Sequence, residues 1–245
     1  MAVPRFARVR AASEVSPGTR LLDLELIGDE PLGFVGGQYV IVDSGLTLPS
    51  GKAVKRAYSI LGADSDQLRF QLVVKRIPDG PGSGFMHRAE VGAELKFSGP
   101  WGKLFPPPDA AGPTLVLATD TGITAALGLL LGQRFAPLLP HTRFLWLRPD
   151  GESFLPDDLV RASLPPALAS AEIHPLPAID HPERLPHVRA LVGPGLPGLA
   201  RAFVSGDGAV NYALLEDLAA AGVAASRDSV ESFFNMPKKS APPAA

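Results

Sequence analysis

FPPPDAAGPTLVLATDTGITAALGLLLGQRF, residues 105–135, divides the chain into two unlike halves. Its Pro-rich opening, 105–113, can continue neither a strand ladder nor a helix, because proline lacks the N–H and fixes φ. TLVLA (114–118) then reads as a buried strand, and ITAALGLLLGQRF (123–135) as a helix entered through a short turn. A strand leading through a turn into a helix begins an α/β unit.

The same alternation continues toward the C-terminus. TRFLWLR (142–148), AEIHPL (171–176), ALVG (190–193) and RAFVSG (201–206) read as strands. A helix from about Val210 to Ala221 follows, then a last strand in DSVESFF (228–234). This order predicts a Rossmann-like parallel sheet with helices on its faces. The Pro- and Ala-rich end, 236–245, reads as a disordered tail.

The N-terminal side is different. LLDLELIG (21–28), QYVIVD (38–43), AYSIL (57–61), LRFQLVVKR (68–76) and ELKFSGP (94–100) are short β-type runs with little helical period. In LRFQLVVKR, Leu68, Phe70, Leu72 and Val74 alternate onto one face. Such strands predict an antiparallel β-barrel or sandwich. The expected domains are a barrel over 1–108 and an α/β domain over 113–235.

Composition narrows the function. Of 245 residues, 46% are hydrophobic and 20% charged, with a net charge of −2, so no basic surplus points to nucleic acid or an anionic membrane. With no cysteine there is no disulfide, thiolate metal site, cysteine nucleophile or thiolate-held iron–sulfur cluster in this sequence. The N-terminal MAVPRFARVR has no signal-peptide apolar run, and no apolar stretch reaches the ~20 residues of a membrane span. The expectation is a soluble cytoplasmic protein without a membrane partner. His87, His141, His174, His181 and His187 show no metal-ligand spacing, so no metal site is expected.

Three clusters carry possible chemistry. Arg56-Ala57-Tyr58-Ser59 offers a guanidinium fork for phosphate, a ring to cover a flat heterocycle, and a hydroxyl for a ring nitrogen. Gly80-Pro81-Gly82-Ser83-Gly84 lets backbone N–H groups approach an anion, with Ser83 as N-cap of a helix. Ala118-Thr119-Asp120-Thr121-Gly122-Ile123 joins strand to helix where parallel sheets bind nucleotides. Taken singly, these also fit a packed barrel tyrosine, a hairpin turn and a capped strand-to-helix turn.

In order and spacing, however, the chain resembles the ferredoxin–NADP reductase superfamily from about residue 5 to 235. Arg56-Ala57-Tyr58-Ser59 resembles its R-x-Y-S flavin motif, and Gly99-Pro100-Trp101-Gly102 its G-P-x-G turn. Residues 118–123 resemble A-T-G-T-G-I, Ser205-Gly206-Asp207-Gly208 the C-G-x-x segment, and Glu231-Ser232-Phe233-Phe234 the terminal E-x-F/Y-F/W. The resemblance implies an FAD-containing oxidoreductase using NADP or NAD as cosubstrate. Hydride would pass from NAD(P)H to FAD, and electrons on to an acceptor protein: a ferredoxin, a flavodoxin or an oxygenase component. Arg56 would pair with the FAD pyrophosphate, helped by N–H groups of Gly82, Ser83 and Gly84. Tyr58 would pack on the isoalloxazine, with Ala57 and Val74 also at the cofactor. Ser59 would bond near flavin N5. Thr121, Gly122, Arg148, Gly206 and Asp207 would meet the nicotinamide nucleotide, and Glu231 with Ser205 would lie near the transfer site.

One departure matters. Asp120 stands where the family has glycine, and a like charge about 4 Å away at an effective dielectric near 20 costs roughly 4 kcal/mol. Asp120 must turn away, or nucleotide binding is weak; a third possibility is that it merely caps the helix from Ile123. The alternative function is therefore an FAD-binding electron-transfer or regulatory subunit with weak or lost nicotinamide use.

Overall fold

The computed structural model describes residues 3–151 and 154–236. Six antiparallel strands form the N-terminal unit: β1 (Arg5–Ser16), β2 (Thr19–Leu26), β3 (Tyr39–Thr47), β4 (Ala53–Ser59), β5 (Arg69–Lys75) and β6 (Glu94–Trp101). Their order is β4-β3-β6-β1-β2-β5, and a lone Leu61–Gln71 bridge draws the two edges together into a barrel. A short helix, α1 (Pro81–His87), crosses between β5 and β6. Period-two alternation fills the interior, with Val9, Leu22, Leu24, Val40, Phe70, Leu72 and Phe97 in one core. Leu68, expected on that face, lies just before β5 and is exposed.

The C-terminal unit has five parallel strands: β7 (Thr114–Thr119), β8 (Thr142–Arg148), β9 (Ser170–Pro175), β10 (Arg201–Asp207) and β11 (Val230–Phe234). Four helices flank them: α2 (Ile123–Leu130), α3 (Asp157–Ser163), α4 (Arg184–Val192) and α5 (Gly208–Ala220). The order β11-β10-β7-β8-β9 reverses direction of travel between β7 and β10. Ligands bind such sheets at the carboxyl ends of those two strands. Every residue of β7 is buried, as a central strand covered on both faces must be.

Several expectations are corrected here. ALVG (190–193) is not a strand: Ala190–Val192 complete α4, whose apolar Val188 and Val192 pack on the sheet at helical spacing. The helix expected over 123–135 ends at Leu130, where a turn through Gly132 takes over. β1 and α3 are additions to the expected elements. Of the expected tail, only Met236 lies among the described residues.

The two units are joined by glycines. A Cβ at Gly128 of α2 would lie 2.4 Å from the Ile60 carbonyl, and one at Gly36 would lie 2.4 Å from the Gly128 carbonyl. Asp64 clamps the same seam, accepting from Gly36 N–H (3.0 Å) and Gln133 N–H (2.8 Å). Backbone-to-backbone contact of this kind fixes the barrel against α2, and so fixes the width of the cleft beside it.

Candidate functional site

That cleft, about 610 Å³, runs between the end of β4 and the carboxyl ends of the parallel strands. Ala57, Tyr58 and Ser59 form one wall; Asp120, Thr121 and Thr124 form the other, with Phe233 and Phe234 at the side. Val73, Ile77, Phe154 and Ile179 make it largely apolar. Ser59 is 6% exposed, and its hydroxyl has no hydrogen-bond partner among the described residues. Burial pushes the Tyr58 phenol up to about 12 against the opposing pull of Arg56, so it stays neutral.

The segment expected to bind an anion differs in detail from its sequence reading. Arg56 packs over Gly82 so closely that a Cβ there would lie 2.7 Å from its Cγ. This brings a guanidinium against the first turn of α1. Ser83 is not the N-cap: Gly80 is, and Ser83 lies inside the helix. The Ser83 hydroxyl instead donates to the Gly80 carbonyl (3.1 Å) and accepts from Ile77 N–H (3.1 Å), which pins the loop. Gly84 N–H is taken by the Gly80 carbonyl at 2.9 Å. Only Gly82 and Ser83 are left to offer first-turn N–H groups.

Four other expected residues are engaged elsewhere. The Val74 side chain points into the barrel core, since β5 is buried on both faces; Val73 and Lys75 reach the cleft instead. Ser205 is 1% exposed and donates its hydroxyl to the Gly122 carbonyl at 2.9 Å, so it is covered by the start of α2. Arg148 is held by both oxygens of Asp157, at 2.7 and 2.9 Å, as a bidentate pair. Gly206, at φ 119°, serves packing: a Cβ would lie 2.2 Å from the Thr119 carbonyl.

Glu231 lines a second cleft of about 400 Å³ with Tyr39, Gly102 and Lys103, which meets the first at Ala57 and Phe233. Its Oε2 is buried without a partner. Burial raises its carboxyl to about 8. Burial, and then the charge of Glu231, raise the Tyr39 phenol.

Asp120 does not cap α2. Its backbone lies in the left-handed region at φ 48°, which Asp tolerates better than most residues, and its carbonyl accepts from the buried Trp146 indole at 3.1 Å. Its carboxylate turns to Arg184, 2.7 Å away. Burial raises the Asp120 carboxyl, against the downward pull of Arg184. Arg184 also bonds Asp207 at 2.8 Å and the Pro177 carbonyl. Asp207 itself is fully buried and caps α5 by accepting from Ala209 and Val210 N–H. Arg184 escapes sequence reading: it stands 64 residues from Asp120 in HPERLPHVR, a segment without a motif. Among the described residues there is no metal-binding cluster, and no helix is long and apolar enough to cross a membrane.

Residues 7–105 match the oxidoreductase FAD-binding domain family. The chain is 38% identical over 146 residues to a ferredoxin–NADP reductase B of Sorangium cellulosum, covering 60% of this chain and 57% of that protein. It is 27% identical over 233 residues to the ferredoxin–NAD(P)(+) reductase component of naphthalene 1,2-dioxygenase/salicylate 5-hydroxylase systems from Ralstonia, covering 92% of this chain and 68% of that one. In the phenol 2-monooxygenase reductase component DmpP of Pseudomonas, 32% identical, the match spans 33% of the relative's length, so with several relatives only part of their length is shared. The ferredoxin reductase of carbazole 1,9a-dioxygenase shares the fold, with TM-score 0.71 and 18% identity, over 94% of this chain and 68% of that one.

Proposed function

We propose that this chain, whose residues 7–105 match the oxidoreductase FAD-binding domain family and which resembles ferredoxin–NADP reductases, is an NAD(P)H-dependent reductase passing electrons to a separate acceptor protein. One observation carries the reading. The unpartnered Ser59 hydroxyl and the Tyr58 ring share an apolar cleft with the carboxyl end of β7, where a nucleotide would approach.

The residues fit FAD. Arg56 and the Gly82 turn would hold its pyrophosphate, and a side chain at Gly82 would displace Arg56. Tyr58 would cover the flavin ring, and Ser59 would give it a hydrogen bond. FAD, when bound, supplies the exchange between two-electron and one-electron chemistry; the chain supplies position and electrostatics. The apolar walls exclude water from the reacting face. Glu231, mostly protonated at neutral pH, would hold an exchangeable proton in the second cleft, beside Ala57 of β4. The acceptor is an oxygenase component or a ferredoxin, the partner class named for the relatives. Arg148, already held by Asp157, is a poor receiver for a 2′-phosphate, which favours NADH.

The protein is expected to purify yellow, and anaerobic NADH to bleach it faster than equal NADPH. A flavin that both nucleotides leave oxidised would end this reading. It would favour the second one, a flavin subunit reduced only by a protein partner, which the Asp120 carboxylate at the nucleotide turn supports. Arg56→Ala is expected to weaken FAD binding by roughly 100-fold, the scale of a lost charge-assisted pair of about 3 kcal/mol. Flavin-fluorescence titration of the apoprotein measures it.

A further inference from the structure

We propose that Arg184 is the cation that receives the pyrophosphate of the nicotinamide nucleotide, and that Asp120 is a built-in competitor for it. This rests on the NAD(P)H reading and adds a residue that determines affinity.

Arg184 begins α4, yet its side chain reaches the crevice between the carboxyl ends of β7 and β10, where the strand order reverses. It lines the cleft with its side chain only 5% exposed. Its two carboxylate partners are not equivalent. Asp207 holds Nε at 2.8 Å and is itself fixed by Ala209 N–H, Val210 N–H and the Asn235 amide, with no exposed surface. Asp120 holds Nη2 at 2.7 Å. No other hydrogen bond to its carboxylate is made among the described residues, and it faces the cleft.

One side of the guanidinium is therefore anchored and the other is exchangeable. Of its five N–H groups, three are engaged, by Asp207, Asp120 and Pro177. A phosphate presents the oxygens that a guanidinium fork fits best. It can take the Nη2 edge when the Asp120 carboxylate rotates off, while Asp207 keeps Arg184 in place. The backbone of Asp120 need not move, because Trp146 holds its carbonyl. The residues thus carry an internal anion at the nucleotide turn, and nucleotide affinity is set by the exchange of one anion for another.

The test uses the FAD-loaded full chain and ADP-ribose, which carries the pyrophosphate but no nicotinamide, with binding followed by calorimetry. Asp120→Asn removes the competing charge and keeps the Arg184–Asp207 pair. It is expected to bind ADP-ribose about tenfold tighter than the parent. Arg184→Lys is expected to bind about tenfold weaker, and adding Asp120→Asn to it is expected to give no gain. Unchanged or weaker binding in Asp120→Asn overturns the proposal, as does an equal gain when Asp120→Asn is combined with Arg184→Lys. The outcome is separable from the reductase reading: ADP-ribose binding needs no electron transfer, and NADH bleaching of the parent needs no change at Asp120. Bleaching without an Asp120 effect sinks only the role of Arg184; an Asp120 effect without bleaching sinks only the reductase.

Discussion

Gly122→Ala is expected to destabilise the protein by at least about 3 kcal/mol, the upper range for forcing a methyl into a closed contact. Its backbone is ordinary, at φ −60°, so the cost is not conformational. A Cβ there would lie 2.4 Å from the Ser205 carbonyl oxygen and 2.7 Å from Gly206 N. Both belong to the backbone of β10, which β7 and β11 hold from either side, so no flexible tip can yield. The start of α2 must lift off the sheet. Because Gly128 of the same helix touches Ile60, the movement also opens the seam to the barrel. Urea unfolding should show the midpoint fall without a matching change of slope. Gly193→Ala is the control. Its φ of −51° suits alanine and nothing lies within 4 Å of the added methyl, so its midpoint should move by no more than the equivalent of ~0.5 kcal/mol. Equal midpoints for the two variants would show that the Gly122 contact does not limit stability.

This contact explains how an Asp can stand in a glycine motif. The two positions have different demands. Gly122 is required by the close approach of helix to strand, which admits no side chain. Position 120 requires only a left-handed backbone, which Asp can adopt at modest cost. The sequence alone shows the departure but not what relieves it. The partner Arg184 is brought in by tertiary packing, and no spacing rule links residues 120 and 184.

Legibility of the fold follows burial in the same way. TRFLWLR reads as a strand because five of its seven residues are buried. β1 gives no such signal, because only Ala7 and Val9 of its twelve residues are buried, and two bulges break its alternation. ALVG reads as a strand because four residues are too few to show a period. Val74 is placed at the cofactor by the resemblance alone, whereas the alternation of its strand puts it on the barrel face with Phe70 and Leu72. The barrel uses one face of β5 and the domain seam uses the other, so adjacent Val73 and Val74 serve different cores. The Arg56, Tyr58 and Ser59 cluster is visible in the sequence because the three are neighbours on one strand, and their geometry is set locally.

Glu231→Gln is expected to stabilise the protein in a pH-dependent way, and the sign follows from its carboxyl. The folded value is about 8 and the ordinary value 4.5, with burial as the cause. Between those two values the folded chain keeps a proton that the unfolded chain releases. Folded stability therefore falls as pH rises from 4.5 to about 8, and levels off above that. Glutamine does not titrate, so the variant and parent should converge at pH 4 and separate progressively up to pH 8. The separation at pH 8 is on the order of 4 kcal/mol, since raising a carboxyl by one pH unit is worth about 1.4 kcal/mol. In a chain of this size that is a rise in melting temperature of roughly 8–16 °C at pH 8. A second readout distinguishes charge from packing. Part of the upward push on the Tyr39 phenol comes from ionised Glu231, so Tyr39 should titrate at lower pH in the variant, followed by ultraviolet absorbance. A stability gap that is the same at pH 4 and pH 8 would mean that the Glu231 carboxyl is not the group held neutral. The buried carboxyl, whose Oε2 has no hydrogen-bond partner, would then have to be charged in the folded protein.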